Sequence, residues 1–402
     1  MSQPRFGVLT RSLHPPTGDT TLQLEEELAL AELADRLGLQ EFWWGETHRR
    51  GWPVVADPML MAARAAGITH RIRLGAAMSA LTVHHPLSLV DSALQLDHLT
   101  RGRFALGLGA DVVPAEAATS GYRPTEAELA TAEVVGAVEL LLRGHPLTMT
   151  PSHAPWTLRE AAPILAPYDD HLDVRVVALA DSAGPELAGH HGFGLLSAAG
   201  AVAPTGGGEL TRQWQRLAEA AQRSGGAASR DRWSVVVPVH IAATEQEARS
   251  QVRAGIARTT GESDVDAVVD AWHASGRAVI GTPAMAAAHL ERVVERSGGL
   301  GTVVVEVTGW ADAADTRASL ERLAREVIPQ VRGLAAARVA AAATATAPPA
   351  RRGRRVALPP PTAARGLPAV PAGRREAAAP AVYHDPRVRR HGRHAVDVPA
   401  AD

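Results

Sequence analysis

The sequence has no cysteine, few aromatic residues and no long apolar run. Without cysteine the chain can form neither disulfides nor thiolate metal sites, which favours a reducing compartment. No segment stays apolar over the roughly 20 residues that a membrane helix needs, and the first residues lack the apolar core of a secretion signal. We therefore expect a cytoplasmic protein with no membrane partner.

The formal net charge of −2 conceals two segments of opposite charge. Residues 336–402 hold twelve arginines and four acidic residues, a balance of +8, which leaves 29 basic and 39 acidic residues in residues 1–335, a balance of −10. The tail is also rich in alanine and proline. Because such a composition buries too little apolar surface to offset the entropy of ordering, we predict a folded domain over residues 1–335 and a disordered tail over residues 336–402.

The motif RRGRR, Arg351–Arg355, is the densest cluster of charge in this tail. Basic runs can bind nucleic acid or acidic surfaces, but this one lacks interleaved aromatic residues and a recognition fold. We interpret it as part of a solvated extension and do not expect a nucleic-acid partner.

Short apolar runs alternate with amphipathic stretches along residues 1–335, which is typical of strands that are each followed by a helix. The capping residues agree with this pattern: we expect Thr20 or Thr21 to cap the first helix, Gly38 to end it and Pro86 to begin a later one. The segment Pro146–Tyr168 is predicted to be an insert that carries a hairpin. The eight predicted strands are Phe6–Thr10, Glu41–Gly45, Ile72–Met78, Phe104–Gly109, Val174–Leu179, Phe193–Ser197, Ser234–Ala242 and Gly301–Val307.

Buried strands separated by helices predict a parallel sheet that is covered on both faces. Eight such units fit an α/β fold of the (β/α)8 type, a TIM barrel, with an insertion. The alternative is an open, doubly wound sheet, which would need a phosphate-binding glycine motif after an early strand. The stretch GLGADV, Gly107–Val112, supplies only two of the three glycines of that motif.

Polar residues follow the second predicted strand at its carboxyl end. In the stretch EFWWGETHRRGW the apolar part ends at Gly45, directly before Glu46, Thr47 and His48. Because a TIM barrel carries its chemistry at the carboxyl ends of its strands, these three residues are candidates for catalysis. His48 is the candidate general acid or base, since imidazole titrates near neutral pH; a structural histidine that bonds a neighbouring loop is the alternative.

Two histidine pairs, His84–His85 and His190–His191, lack the ligand spacing of zinc sites. The first pair directly precedes Pro86, and we interpret it as part of a helix start. The second is interpreted as a helix end, where a cation is favoured. We therefore expect no metal site.

Three stretches resemble the bacterial luciferase-like flavin-dependent monooxygenases, and in particular their limonene monooxygenase-like branch. They are WWGETHRRGW, RIRLGAAMSALTVHHPLSLVDSALQLDHLTRGRFALGLG and AVIGTPAMAAAHLERVVERSGGLGT, and the likeness extends over nearly all of residues 1–335. The resemblance implies a (β/α)8 barrel with an insertion, which agrees with the strand pattern. It also implies a homodimer that binds reduced FMN, or in some branches a reduced deazaflavin, and that oxidises an organic small molecule with dioxygen, with a flavin reductase as a candidate partner.

The resemblance assigns roles to residues at two strand ends. The family motif after the second strand is Glu-His-His, and here it reads Glu46-Thr47-His48, so Thr47 replaces the family's first histidine. After the third strand the family often has a non-proline cis peptide beneath the flavin ring, and the matching bond joins Ala77 and Met78. Such a bond costs about 3–4 kcal/mol and persists at functional sites; an ordinary strand end is the alternative.

The phosphate end of the implied flavin site departs from the family pattern. Where the family shows Gly-x-Gly-(Arg or Pro)-Gly, this chain has Gly107-Leu108-Gly109-Ala110-Asp111, and Asp181 replaces a serine that relatives offer to the phosphate. Two carboxylates would repel a phosphate dianion, unless a base such as Arg175 neutralises them. Ser182 and the backbone amides that follow it can still bind an anion at a helix start. The residues that the resemblance assigns to the flavin are Ala77, Met78, Gly109, Asp181, Ser182 and Gly184.

Three functions remain open from the sequence. The first is an FMN-dependent monooxygenase that acts on a hydrophobic small molecule, and the second is an oxidoreductase that uses a reduced deazaflavin. The third is a non-catalytic barrel, either a degenerate partner subunit or a ligand binder, which the substitutions at Thr47, Ala110, Asp111 and Asp181 favour.

Overall fold

In the structure, eight parallel strands form a closed ring. Each strand of the ring pairs with the next one along the chain, and the last pairs with the first to close the ring. The structure is a computed structural model that describes residues 3–15, 17–48, 53–78, 80–111, 117–118, 121–179, 181–198 and 208–333. The predicted TIM barrel is confirmed, and the open sheet is wrong. The ring strands are β1 Arg5–Thr10, β2 Glu41–Gly45, β3 Arg73–Met78, β4 Phe104–Gly109, β7 Asp173–Ala178, β8 Gly194–Ser197, β9 Trp233–Ile241 and β11 Thr302–Val307.

Three further short strands lie outside the ring. Strands β5 (Leu147–Met149) and β6 (Leu158–Ala161) form an antiparallel hairpin, which confirms the hairpin predicted in the insert. Strand β10 (Val279–Gly281) pairs in parallel with the end of β9. The sequence analysis missed β10, because a three-residue strand is too short to show a period. It also missed the helix Pro283–Arg296 that follows this strand.

The helices connect successive strands. Pro86 begins its helix as predicted, but the cap of the first helix is Asp19, whose carboxylate accepts the N–H groups of Thr21 and Leu22. The prediction of Thr20 or Thr21 as this cap is therefore wrong; Asp19 can both cap the helix and favour its positive end. The helices are Thr20–Arg36, Pro58–Ala66, Pro86–Thr100, Pro124–Leu142, Gly184–His191, Gly208–Arg223, Glu245–Thr260, Val265–Ser275, Pro283–Arg296 and Ala313–Arg322, the last of which runs into a π-helical turn at Leu323–Val327.

Trp43 of β2 fills the middle of the barrel. Its buried ring belongs to the inner cluster of side chains, whereas the neighbouring Phe42 and Trp44 pack against the outer helices. Gly75 of β3 makes room for it, because a Cβ at Gly75 would lie 2.2 Å from the indole ring. Any larger residue at this position would displace the tryptophan. The inner cluster is Leu9, Trp43, Ala77, Ala105, Leu196, Val236 and Val304.

A buried ion pair closes the amino end of the barrel below Trp43. Arg175 on β7 binds Glu41 on β2 through two contacts, of 2.7 and 2.9 Å, and also donates to Ser234 at 2.7 Å. Burial alone would raise the pKa of Glu41, but the adjacent guanidinium holds it below its ordinary value. Because Arg175 is committed at this end, it does not neutralise Asp111 or Asp181, and that suggestion is wrong.

Two expectations about the chain as a whole have different outcomes. Among the residues described, no helix is both long and apolar enough to span a membrane. The tail predicted to be disordered, residues 336–402, lies outside the described residues, so its disorder and the domain boundary at residue 335 remain predictions.

Candidate active site

Three side chains meet at the carboxyl ends of β2 and β3. Oε1 of Glu46 lies 2.8 Å from Nε2 of His48 and 2.5 Å from Nε2 of His84. Its Oε2 accepts the backbone N–H of Ala80 at 2.9 Å, and the backbone N–H of Glu46 donates to the carbonyl of Ala77 at 3.0 Å. We call Glu46, His48 and His84 the Glu46 cluster; it joins the loop after β2 to the loop after β3.

The carboxyl group of Glu46 is ionised near neutral pH although it is buried. Burial alone would raise its pKa, but hydrogen bonds from His84, the Ala80 N–H and His48 lower the pKa below its ordinary value. An ionised carboxylate only accepts hydrogen bonds, so Nε2 of each imidazole must carry the proton. In the neutral form of either ring, Nδ1 is then the unprotonated nitrogen and the one able to accept a proton.

His84 is a site residue that the sequence analysis missed. The interpretation of His84 and His85 as part of a helix start is wrong for His84, although His85 does occupy the cap position of Pro86–Thr100. The signal was available in the topology: β2 and β3 are neighbours, so residues that follow them meet at one edge of the barrel.

Thr47 lies between the two predicted site residues that the structure brings together. Its backbone N–H donates to the carbonyl of Val55 at 3.2 Å, which ties the loop after β2 to a later part of the chain. This bond helps to fix the loop that carries Glu46 and His48. A catalytic role for Thr47 itself stays a prediction.

Small residues form the inner face of the barrel mouth above Trp43. Ala77 belongs to the same inner cluster as Trp43, and Ala105 shows which face of β4 points inward. Because side chains alternate along a strand, Gly45 and Gly109 lie on this inner face too. The inner face at these strand ends therefore carries small side chains or none.

The cis peptide that the resemblance suggested after β3 finds no support. Met78 is the last residue of β3, and no cis bond occurs in the part of the chain that the structure describes. The ordinary strand end, the alternative considered for the Ala77–Met78 bond, is the description that agrees with the structure.

Asp111 joins the loops after β4 and β7. Its Oδ2 accepts the N–H of Leu179 at 2.7 Å, and its carboxyl is also bonded to the side chain of Ser182. Burial raises the pKa of Asp111 above its ordinary value, and these two bonds offset only part of that effect. The backbone N–H of Gly184 donates to Oγ of Ser182 at 3.2 Å, so Ser182 lies at the start of the helix Gly184–His191.

The two carboxylates predicted at this end therefore differ. Asp111 engages Ser182 and the Leu179 amide, groups that a phosphate could otherwise use, whereas Asp181 is exposed to solvent. Asp181 has a φ of 54°, in the left-handed region that aspartate tolerates better than most residues.

An ion pair at the end of β11 is a second feature that the sequence analysis missed. Glu306 has the same parity as Thr302 and Val304, whose side chains face the barrel interior. Oε1 of Glu306 lies 2.6 Å from Nε of Arg11, whose side chain is 56% exposed. A single acid in the otherwise apolar strand sequence TVVVEV was the signal for it.

The family assignment rests on the match of most of the chain. Residues 4–300 match the family model described as luciferase-like monooxygenase. The chain belongs to this family. The limonene 1,2-monooxygenase of Rhodococcus erythropolis is 34% identical over 82% of this chain and 87% of its own length. The 4-hydroxyprotoasukamycin monooxygenase of Streptomyces nodosus subsp. asukaensis is 33% identical over 83% of this chain and 94% of its own length.

Solved structures of low identity share the fold of this luciferase-like monooxygenase. The oxygenating constituent of 3,6-diketocamphane monooxygenase from Pseudomonas putida, a type II Baeyer-Villiger monooxygenase in complex with FMN, aligns with a TM-score of 0.67 at 22% identity, over 82% of this chain and 99% of the other. The monooxygenase RslO1 of Streptomyces bottropensis aligns with a TM-score of 0.71 at 22% identity, over 81% and 99%. The resemblance inferred from the sequence motifs is confirmed, and the protein is an enzyme of a flavin-dependent monooxygenase family.

Proposed function

We propose that this luciferase-like monooxygenase uses reduced FMN and dioxygen to oxidise a hydrophobic small molecule. The Glu46 cluster carries the proposal, because it holds an ionised carboxylate and two oriented imidazoles at the carboxyl ends of β2 and β3, next to Ala77. The reduced flavin, when bound, supplies the electrons that activate dioxygen. The chain's own residues bind and orient the reactants, move protons and exclude water.

The place proposed for the cofactor ring is above Trp43, at the carboxyl ends of β3 and β4, where Ala77 has a small side chain and Gly109 has none. Ser182 and the amides at the start of Gly184–His191 are proposed to contact the phosphate. The Asp111 carboxyl group, when ionised, repels a phosphate. Its raised pKa reduces this cost, since a protonated carboxyl carries no charge and can donate a hydrogen bond.

His48 is the group proposed to transfer a proton. Its side chain is 30% exposed, against 23% for His84, so the cluster presents both rings towards solvent or a bound molecule while the Glu46 side chain stays buried. Glu46 fixes the ring tautomer and therefore directs Nδ1 as the proton acceptor. His84 shares the same carboxylate oxygen and is proposed to hold Glu46 in place.

The proposed substrate class follows mainly from the relatives. Limonene is a hydrocarbon, and diketocamphane is a compact cyclic ketone; both names come from relatives of this chain. The small inner residues Ala77 and Gly109 suit molecules of this kind, and a substrate that excludes water when bound would protect reactive oxygen species. We therefore propose a terpene-like or alicyclic substrate.

Reconstitution with a flavin reductase tests the proposal. The protein is supplied with reduced FMN, labelled dioxygen and a panel of terpenes and cyclic ketones, and products are analysed by mass spectrometry. We expect a product that has gained one labelled oxygen atom. Turnover only with a reduced deazaflavin would support the deazaflavin alternative, and failure to bind either cofactor would support a non-catalytic barrel.

Homodimer formation is proposed for helices on the early side of the barrel. Leu60 on Pro58–Ala66 is 69% exposed, and Leu99 on Pro86–Thr100 is 61% exposed. These two helices pack against each other, and large exposed apolar side chains favour a partner surface. A second copy of the chain would cover them.

A further inference from the structure

The donor atoms of the Glu46 cluster are close enough to share one ion. Oε1 of Glu46 and one ring nitrogen each of His48 and His84 all lie within 4.8 Å of one another. Two imidazole nitrogens and one carboxylate oxygen are a donor set that proteins use for Zn²⁺ and related ions. We propose that Glu46, His48 and His84 bind one Zn²⁺ or another late first-row divalent ion at the barrel mouth.

Only small movements convert the hydrogen-bonded cluster into a metal site. Bonds of about 2.0–2.2 Å place two ligands of a tetrahedral ion roughly 3.3 Å apart. The present distances from Oε1 to Nε2 of His48 and His84 are 2.8 and 2.5 Å, so each must lengthen by less than about 1 Å. The ion replaces the Nε2 proton on each ring: in a neutral ring this proton moves to Nδ1, and a protonated ring releases it to solvent.

The surroundings of Glu46 already support a ligand role. Its Oε2 is held by the Ala80 N–H, so Oε1 is the oxygen directed at both imidazoles. Such an outer contact orients a ligating carboxylate and strengthens a metal site. The Glu46 side chain is fully buried, whereas both histidines are partly exposed. An ion can therefore reach the cluster from the mouth.

Sequence spacing concealed this site. The expectation of no metal site considered adjacent histidine pairs, but the ligands here lie 2 and 38 residues from Glu46 along the chain. Because the chain has no cysteine, no thiolate competes for the ion.

Bound metal would block the reaction proposed above, and this consequence rests on the proposed function. With an ion on Nε2, the neutral His48 ring carries its proton on Nδ1, the nitrogen proposed as the proton acceptor, so His48 can no longer act as a base. The expected regulation is reversible inhibition by Zn²⁺.

Binding is tested without flavin or substrate, on full-length protein that carries no histidine tag. Co²⁺ is titrated while its visible absorption bands are recorded, and Zn²⁺ is then added to displace it. We expect one strong site per chain, and at least a tenfold loss of affinity in His84→Ala, since even outer-shell changes cost about 10–100-fold. His85→Ala removes a neighbouring histidine that is outside the cluster and should bind like the wild type.

Two results would overturn the site. Equal Co²⁺ affinity in the wild type and in His84→Ala would place the ion elsewhere, for example on the histidines of residues 336–402. Absence of Co²⁺ binding in a wild type whose circular dichroism shows a folded barrel would show that the cluster does not hold the ion. Glu46→Gln is the second variant, because it keeps the shape of the side chain while it removes the anionic ligand. Since these readouts need no turnover, a failure of the monooxygenase proposal leaves them interpretable.

Discussion

Replacing Glu46 by glutamine tests the central feature of the site with little change in shape. Among the described residues, the carboxylate accepts hydrogen bonds from His48, His84 and the Ala80 N–H. A glutamine side chain has one accepting oxygen and one donating NH2 group. The NH2 group of the glutamine must therefore face one of the three donors, from which it cannot accept, and at least one hydrogen bond is lost.

The size of the effect follows from this count. A hydrogen bond to a charged group contributes about 1.5–3 kcal/mol, and the bonds that survive lose their charge assistance. We expect Glu46→Gln to lower the free energy of unfolding by about 2–4 kcal/mol near neutral pH. Glu32→Gln is the control, because Glu32 forms an exposed i,i+4 pair with Arg36 and should change the same quantity by less than about 0.5 kcal/mol.

The effect should also depend on pH with a defined sign. Because the pKa of Glu46 is lowered in the folded state from an ordinary value of 4.5, its contribution is fully present above that value and is lost as the pH falls through the folded pKa. The difference between the wild type and Glu46→Gln should therefore be constant above about pH 5.5 and shrink in more acidic solution.

Urea unfolding followed by circular dichroism, at a series of pH values, measures both quantities. The linear dependence on urea gives the free energy of unfolding, and equal slopes would show that the variants unfold to similar states. A loss in Glu46→Gln no larger than in Glu32→Gln would refute the reasoning. A difference that stays constant down to the lowest accessible pH would refute the assignment of an ionised carboxylate.

Three further predictions concern activity, assembly and the cofactor. His48→Ala should lower kcat by about 10²–10⁴-fold in the reconstituted assay, whereas His85→Ala should not; equal rates would remove His48 from proton transfer. The double variant Leu60→Asp and Leu99→Asp should halve the mass measured by light scattering, and an unchanged mass would place any dimer contact elsewhere. Asp111→Gly should tighten FMN binding by about tenfold or more, because it frees the Leu179 amide to donate to the phosphate. One hydrogen bond to a charged group contributes about 1.5–3 kcal/mol. Riboflavin, which has no phosphate, should gain less in fluorescence titrations, and equal gains would mean that the phosphate does not contact this amide.

The barrel could be predicted from the sequence because its signals are local. Apolar runs such as Phe104–Gly109 mark buried strands, and Pro86 marks a helix start, without knowledge of the rest of the chain. The missed helix Pro283–Arg296 meets this condition, since it too begins with a proline, but the missed strand does not. Strand β10 has only three residues, and it is defined by its pairing with the end of β9 rather than by a pattern of its own.

The site could be predicted only where its residues adjoin in sequence. Glu46 and His48 lie two residues apart and were found, whereas His84 joins them from the next loop, 38 residues away from Glu46. The repulsion between the Asp111 carboxylate and a phosphate could be predicted from the sequence. The hydrogen bond that Asp111 accepts from the Leu179 amide could not, because it depends on the packing of two loops. The ion pair of Arg11 with Glu306 spans almost the whole chain and has no local pattern.

The Glu46 cluster also bears on the choice between an enzyme and a degenerate barrel. A buried carboxylate is costly to desolvate, and apolar side chains of similar volume often stabilise a fold as well or better. Thr47, which favoured a degenerate barrel, replaces one imidazole of the family motif, but His84 restores a second imidazole to the same carboxylate oxygen. The argument for lost chemistry then rests on the phosphate end, where Asp111 is hydrogen-bonded to Ser182. A weakened phosphate contact lowers the affinity for a cofactor without removing the acid–imidazole chemistry, which is why we favour the enzyme.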